Sequence, residues 1–497
     1  MLSRRALLGT AALLPIAGAA RAQVKQDDTT FPGFRREVLV RWGDRVDSDA
    51  PPFTPAQLTA EATATQFGWD AAIIGLAIGP EAADGVPRGI LAVLHPTAEG
   101  RMMFPGGQDR PLIAIGAQGA SILNLERQGT RWVIVDGGFQ TRRITASTLC
   151  SITGPATSET GEAIQGVLAP QSGCVTPWGT LLMAEGDPQP WLARLQDRGQ
   201  HLPVAAHANA YGWLVELDPF NPQSVPAKRT ALGRFPRAGV AATKSAKGHA
   251  VVFMTDDQVA GHLYRFVSDA PADGDTSPLD SGTLSVAVNK GGWTIGFVPL
   301  PKGIATLTAI RQAASQLGAT VFDSPAGMAV GEGGTLFLTC RGNAQRQQST
   351  PFNPSVPNPD GQVLLFRPDD HDPAAAEFAG EITIICGGGP AAGPSGWMSR
   401  PSAITLGAKG EMWLATEASG LGVAAADMSS APRVYIPPVG ALMGGVAITP
   451  DGTTLLSAVR HPGATPGASF DHPATRWPSL LPNMPPQTTI VTLARTS

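Results

Sequence analysis

Cysteine is scarce in this chain: Cys150, Cys174, Cys340 and Cys386 are the only 4 in 497 residues, and none has C-x-x-C spacing. That excludes a zinc ribbon and a thioredoxin-type motif. In an oxidising compartment the four could form one or two disulfides, and otherwise they read as buried strand residues, with Cys340 at a strand end. The 8 histidines make no metal-ligand spacing. A net charge of −4 leaves no basic surface, so no nucleic-acid partner is expected. Helical periodicity is sparse, and Leu307 to Leu317 is its best stretch. The chain also lacks a G-x-S-x-G elbow, an H-E-x-x-H pair, a G-x-x-x-x-G-K-[ST] loop and a G-x-G-x-x-G turn opening a βαβ unit. Gly387-Gly388-Gly389-Pro390 reads as a loop.

What is present is a repeat. Six times a glycine-led turn opens into a short apolar strand that ends on a residue able to carry chemistry. The strands run from Gly89 to His95, Gly179 to Glu185, Gly248 to Asp256-Asp257, Gly334 to Arg341, Gly410 to Glu417, and Gly452 to Arg460-His461. Apolar runs of about 5 residues between turn residues are typical of the buried strands of a β-propeller. A plain all-β protein would show similar units, and the recurring polar terminus favours the propeller. The expected fold is therefore all-β, a six-bladed β-propeller with long inter-strand insertions, built as one domain over residues 23–497. The 58 Gly and 45 Pro are spread along it as turn punctuation. Thr488 to Leu493 reads as a closing strand pairing with the first blade, and Gln345 to Asn358 as either a lid or a surface loop.

At the N-terminus, Ser3-Arg4-Arg5, an apolar stretch from Ala6 to Ala20 and Ala20-Arg21-Ala22 make an export signal over residues 1–22 with a twin-arginine look. The run is shorter than the about 20 residues needed to cross hydrocarbon. No later segment reaches that length, so no membrane span is expected in the mature chain. The expected location is periplasmic or secreted, with the twin-arginine export machinery as a partner.

If each strand lines one blade, its polar end lies near a common mouth. Carboxylates there suit calcium or ferric iron, which makes Glu185, Asp256, Asp257 and Glu417 candidate metal ligands. Arg341 and Arg460 are candidate anion clamps, and His95 and His461 candidate acid or base groups. Each has a plain alternative: an ion-paired glutamate, turn aspartates, or contacts between blades. Asp451, in Thr449-Pro-Asp-Gly452, fits a β-turn.

Several blocks then carry a resemblance: Val175 to Glu185, Tyr211 to Phe220, Lys228 to Phe235, Tyr264 to Asp269, Leu279 to Leu284, Asn358 to Gly361, and Thr449 to Gly452 with Arg460 to Gly463. In this order the chain resembles the PhoX-type alkaline phosphatase family from about Glu37 to Gly463. The resemblance implies a periplasmic six-bladed propeller with iron and calcium on its axis, hydrolysing a small phosphorylated substrate. Clustered cations would neutralise the phosphoryl oxygens there, and arginine would clamp them.

The chain departs from the family's pattern at several ligand positions. Leu94-His95-Pro96 stands where the family has Asn-His-Glu, and Gln171 falls where it has a cysteine. Arg237-Ala238 stands for His-Glu, and Asp323-Ser324-Pro325-Ala326 lacks the family's Arg and Glu. The retained Glu185, Asp256, Asp257, Asp323, Glu417 and Asp451 imply a reduced site, with calcium more suited to it than iron. Two functions follow: a PhoX-like phosphatase with altered metal content and doubtful activity, or a catalytically inactive propeller binding a periplasmic ligand or partner through the same mouth.

Overall fold

The computed structural model describes residues 27–496 apart from 82, 198, 200–207 and 275. The expected signal segment, 1–22, lies outside the described residues. The chain is all-β in character, with short helices inserted between strands. Among the described residues no helix is long and apolar enough to cross a membrane.

Six antiparallel hairpins organise the sheets. They pair Ala72–Ala77 with Arg88–His95, Pro170–Val175 with Leu181–Glu185, and Arg237–Lys244 with His249–Asp256. The other three pair Pro325–Val330 with Leu336–Cys340, Pro401–Leu406 with Met412–Thr416, and Leu442–Ile448 with Thr454–Arg460. The second strand of each is one of the six apolar runs. Val93, Met183, Phe253, Leu338, Leu414 and Leu456 are all buried. These strands are covered on both faces, which is why they read as continuous apolar runs without alternation.

The first strand of every hairpin is the edge of its sheet. These six edge strands pack side by side in chain order, and Leu442–Ile448 returns to lie beside Ala72–Ala77. The third and fourth hairpins belong to one nine-stranded sheet, because Thr294–Pro299 pairs with Glu377–Ile385.

Each edge strand is bulged against its partner near its start. The register breaks between Ile73 and Gly75, Pro170 and Ser172, Arg237 and Gly239, Pro325 and Met328, Pro401 and Ala403, and Met443 and Val446. A bulge leaves residues unpaired and bends the strand. Neighbouring edge strands approach so closely here that two glycines are required. A Cβ on Gly239 would fall 1.9 Å from the Ala326 carbonyl oxygen, and one on Gly445, at φ +83°, 2.3 Å from that of Ile73.

Several local expectations are revised. Thr489–Arg495 closes the last sheet, pairing with Thr454–Arg460 and with the N-terminal strand Phe34–Arg41 instead of the first hairpin. The helical stretch splits into Ile304–Thr308 and Ile310–Gln316 at Ala309, whose ψ of 42° is not helical. The Gln345 to Asn358 segment is pinned: Phe352 is buried against Phe322 and Phe366, and Asn353 Oδ1 accepts from the Asp323 amide at 3.0 Å. All four cysteines are free. Burial pushes the thiols of Cys150, Cys174 and Cys386 up to about 12 and that of Cys340 further, so they stay protonated and unreactive.

Gly239→Val should lower stability by about 3 kcal/mol or more, because the obstacle is backbone of the next hairpin. Gly274→Ala, with open space around its Cβ, should stay within about 0.5 kcal/mol. Urea unfolding of the two variants measures both.

Candidate functional site

The bulged edge strands enclose a cavity of about 520 Å³. The residues freed by the bulges line it: Ile74, Gln171, Ala238, the Ala326-Gly327 pair, Ser402 and the Gly444-Gly445 pair. Bulges commonly re-aim residues beside functional sites, and here all six positions are uncharged. The charge comes from residues at or just beyond the ends of the second strands. Asp257, Arg341, Glu417 and Arg460 reach the cavity, with Thr97 beside them.

Of the nine candidate residues, those four line the cavity, and His95, Glu185, Asp256, Asp323 and His461 do not. Glu185 is fully buried within its own sheet. It accepts from the Leu168, Gly212 and Trp213 amides at 2.9, 2.9 and 3.2 Å and from Lys228 Nζ at 2.8 Å. Both of its oxygens are engaged by these donors. Asp256 Oδ1 accepts from the His262 amide at 2.7 Å, and Arg311 Nε lies 3.0 Å from Oδ2. Burial raises the pKa of this carboxyl. Asp323, also fully buried, is held by Arg346 at 2.5 Å and Asn358 at 2.9 Å. Asp451 accepts from the amide and hydroxyl of Thr453 at 3.0 and 2.8 Å, as a turn residue does, and pairs with Arg127.

At the cavity itself Arg341 donates to Asp257 at 2.6 Å and reaches Glu417 at 3.5 Å, while Arg400 donates twice to Glu417 at 3.0 and 2.8 Å. Across from them Arg460 makes a two-pronged contact with Asp70, 2.8 Å on each prong. Thr97 donates to the same carboxylate at 2.8 Å, and His461 Nε2 lies 2.8 Å from it with its ring stacked on Trp69. Burial works against charge on Asp70, but Arg460 and His461 outweigh it and hold the carboxyl well below its usual range. Burial likewise opposes charge on Arg460 and on Arg341, and their carboxylate partners prevail and raise both. Both arginines are therefore fixed cations. Arg460 Nη1 makes no hydrogen bond among the described residues.

His95 sits behind this hub. Its Nδ1 lies 2.5 Å from the Asp70 carbonyl and its Nε2 2.7 Å from Ser121 Oγ, so it positions the Asp70 segment and reaches no ligand space. Burial, then Arg143, pushes its pKa well below 6.5.

Asp70, Lys228, Arg237 and Arg400 were missed by reading strand ends. Asp70 precedes an edge strand, in Gly68-Trp69-Asp70, and its only sequence signal is an acidic residue just ahead of an apolar run. Arg237 begins an edge strand but turns inward. Its guanidinium lies over the Phe235 ring at 3.9 Å and donates to the Gly233, Phe235, Leu232 and Gly212 carbonyls at 2.5, 2.9, 3.0 and 3.4 Å. Burial lowers its pKa to about 9, against a smaller opposing pull from Tyr264 and Glu185.

The architecture and cavity thus define an all-β protein whose central site is neutral in its wall and arginine-bearing at its rim. A family model described as alkaline phosphatase PhoX matches residues 18–463. The chain belongs to this family. Among solved structures, Pseudomonas fluorescens PhoX in complex with vanadate, a transition state analogue, matches with a TM-score of 0.84 at 26% identity, covering 95% of this chain and 97% of that one. A gluconolactonase from Xanthomonas campestris is 10% identical over 91% of this chain and 99% of its own, with a TM-score of 0.35. A putative 6-phosphogluconolactonase from Bacteroides uniformis is 11% identical over 89% and 98%, also at 0.35. Neither of these two bears on function. No curated protein matches.

The iron and calcium that the family resemblance implies can be tested against the donors present. Those lining the cavity are the Gln171 amide, the hydroxyls of Thr97, Ser172, Ser402 and Thr405, the Cys174 thiol, and the carboxylates of Asp257 and Glu417, both already shared with arginine. Among the described residues no three His, Cys, Asp or Glu side chains are grouped to hold an ion. Clustered hard cations need several anionic oxygens free to coordinate. This donor set does not fit such a cluster.

Lys228→Met, which leaves Glu185 buried without its cation, should cost about 3–5 kcal/mol in chemical denaturation, and the Lys228→Met/Glu185→Leu pair should recover part of it. The second expectation concerns pH. Unfolded His95 takes a proton near 6.5 and folded His95 does not, so stability falls as pH drops below 6.5. Across pH 6.5 to 5 the wild type should lose up to about 1.4 kcal/mol per unit more than His95→Gln, read from unfolding midpoints.

Proposed function

We propose that this chain is a six-bladed propeller of the PhoX family that holds a small phosphorylated molecule in its axial cavity through arginine contacts, without the family's metal-based hydrolysis. Six edge strands in cyclic contact support the propeller reading. The export signal expected in residues 1–22 supports a periplasmic or secreted location, to be checked by fractionating cells that express the full chain.

One observation carries the functional reading: six carboxylates in and around the site each have a lysine or arginine. The pairs are Asp70 with Arg460, Glu185 with Lys228, Asp256 with Arg311, Asp257 with Arg341, Asp323 with Arg346 and Glu417 with Arg400. Positive charge that metal ions would bring is supplied by side chains. Of these cations, Arg341 and Arg460 line the cavity. Arg460 keeps Nη1 available, and a guanidinium suits a phosphoryl group because its planar donors match two oxygens at once.

Hydrolysis is the competing reading, favoured by the likeness to P. fluorescens PhoX. Calorimetric titration of the mature protein with inorganic phosphate, together with metal analysis and turnover of a chromogenic phosphomonoester with and without calcium and iron, separates the two. We expect phosphate binding without metal, weakened about tenfold or more by Arg460→Gln, and no metal-dependent turnover. Bound iron near one equivalent with turnover that chelation abolishes would establish hydrolysis instead.

A further inference from the structure

We infer that the molecule held in the cavity is a phosphorylated polyol, such as a sugar phosphate, in preference to an alkyl or aryl phosphate. This rests on the phosphate-binding reading above. The cavity of about 520 Å³ lies in the usual range for small-molecule sites, and one phosphate at the arginine rim occupies only a small part of it. The remainder is wide because the bulge positions carry small residues such as Ala238, Ala326 and Gly445.

The wall is uncharged, with apolar Ile74 and small Ala and Gly residues beside the polar Gln171 and Ser402 at its bulge positions. All six strands around it are sheet edges, and none forms a ladder with its neighbour. Their outward amides and carbonyls have no strand partners; the Ala326, Gly327 and Gly445 carbonyls accept from the hydroxyls of Thr255, Thr339 and Ser457, and the groups left over require hydrogen bonds from water or a ligand. Two side chains add to them at bulge positions. The Gln171 amide makes no hydrogen bond among the described residues, and Ser402 has one long contact of 3.3 Å, to the Ala415 carbonyl.

A polyol's hydroxyls replace the water on such a wall bond for bond. An alkyl or aryl group displaces the same water and leaves the backbone groups unpaired. Sites that hydrogen-bond a hydroxyl discriminate strongly against analogues lacking it.

The test is calorimetric titration of the full mature protein with inorganic phosphate, a hexose 6-phosphate, hexyl phosphate and phenyl phosphate. The hexose phosphate should bind at least about tenfold more tightly than hexyl or phenyl phosphate. Gln171→Leu, checked for folding by thermal melting, should bring its affinity down toward that of hexyl phosphate. Hexyl or phenyl phosphate binding as tightly as the hexose phosphate, or a Gln171→Leu variant that keeps the full preference, would overturn the polyol inference while leaving phosphate binding in place. Failure of all four probes to bind would overturn the phosphate-binding reading itself.

Discussion

The close approach of six strand edges around one cavity is the constraint from which the rest of the molecule follows. Backbone must come within contact of backbone at the bulges. That is why Gly239 and Gly445 have no side chain where the Ala326 and Ile73 carbonyls stand, and why the second strands, wedged between sheets, are apolar on both faces. The bulges that allow the approach also decide what faces the axis. A regular strand would send alternate residues into the packed interfaces between sheets, whereas the unpaired bulge residues meet the cavity. The fold therefore offers a fixed set of positions on the axis, and chemistry there depends on which residues occupy them.

Much of the fold was legible because burial on both faces leaves a simple trace, an apolar run entered through a turn. All six such runs, from Gly89–Leu94 to Gly452–Val459, are second strands of hairpins. The first strands were harder to read. They are bulged, and all but Pro401–Leu406 contain glycine, so Pro170–Val175 or Leu442–Ile448 has neither alternation nor an unbroken run of apolar side chains. Yet these strands line the cavity. Closure by Thr489–Arg495 was visible as a strand, but its partners Thr454–Arg460 and Phe34–Arg41 depend on where the chain's two ends meet in space.

The site was half legible for a related reason. A polar residue ending an apolar strand lies near the mouth, and Asp257, Arg341, Glu417 and Arg460 do reach it. Whether the residue faces the axis or the sheet interior turns on one position along the strand, because successive side chains point to opposite sides. Asp256 and Asp257 show the difference: the first is buried against Arg311 and the second meets Arg341 at the cavity. Glu185 fell on the inward side, where Lys228, 43 residues later in sequence, waits for it. No local pattern announces such a pair.

The neutral wall and the paired carboxylates are two sides of one electrostatic requirement. A carboxylate near an enclosed axis is costly unless a cation faces it, since partial burial strengthens every unbalanced charge. Where metal ions supply that cation, acidic side chains can crowd the axis. Without them a carboxylate must either be replaced or acquire a basic side chain. Uncharged Gln171, Ala238 and Ala326 line the cavity, while Asp70, Asp257, Asp323 and Glu417 each meet an arginine. The pairing is reciprocal, because each arginine would be unbalanced without its carboxylate and each carboxylate without its arginine. A rim of matched pairs around an uncharged wall is the stable arrangement, and it leaves the arginine donors not used by their partners as the strongest anchoring points for an anion in the cavity.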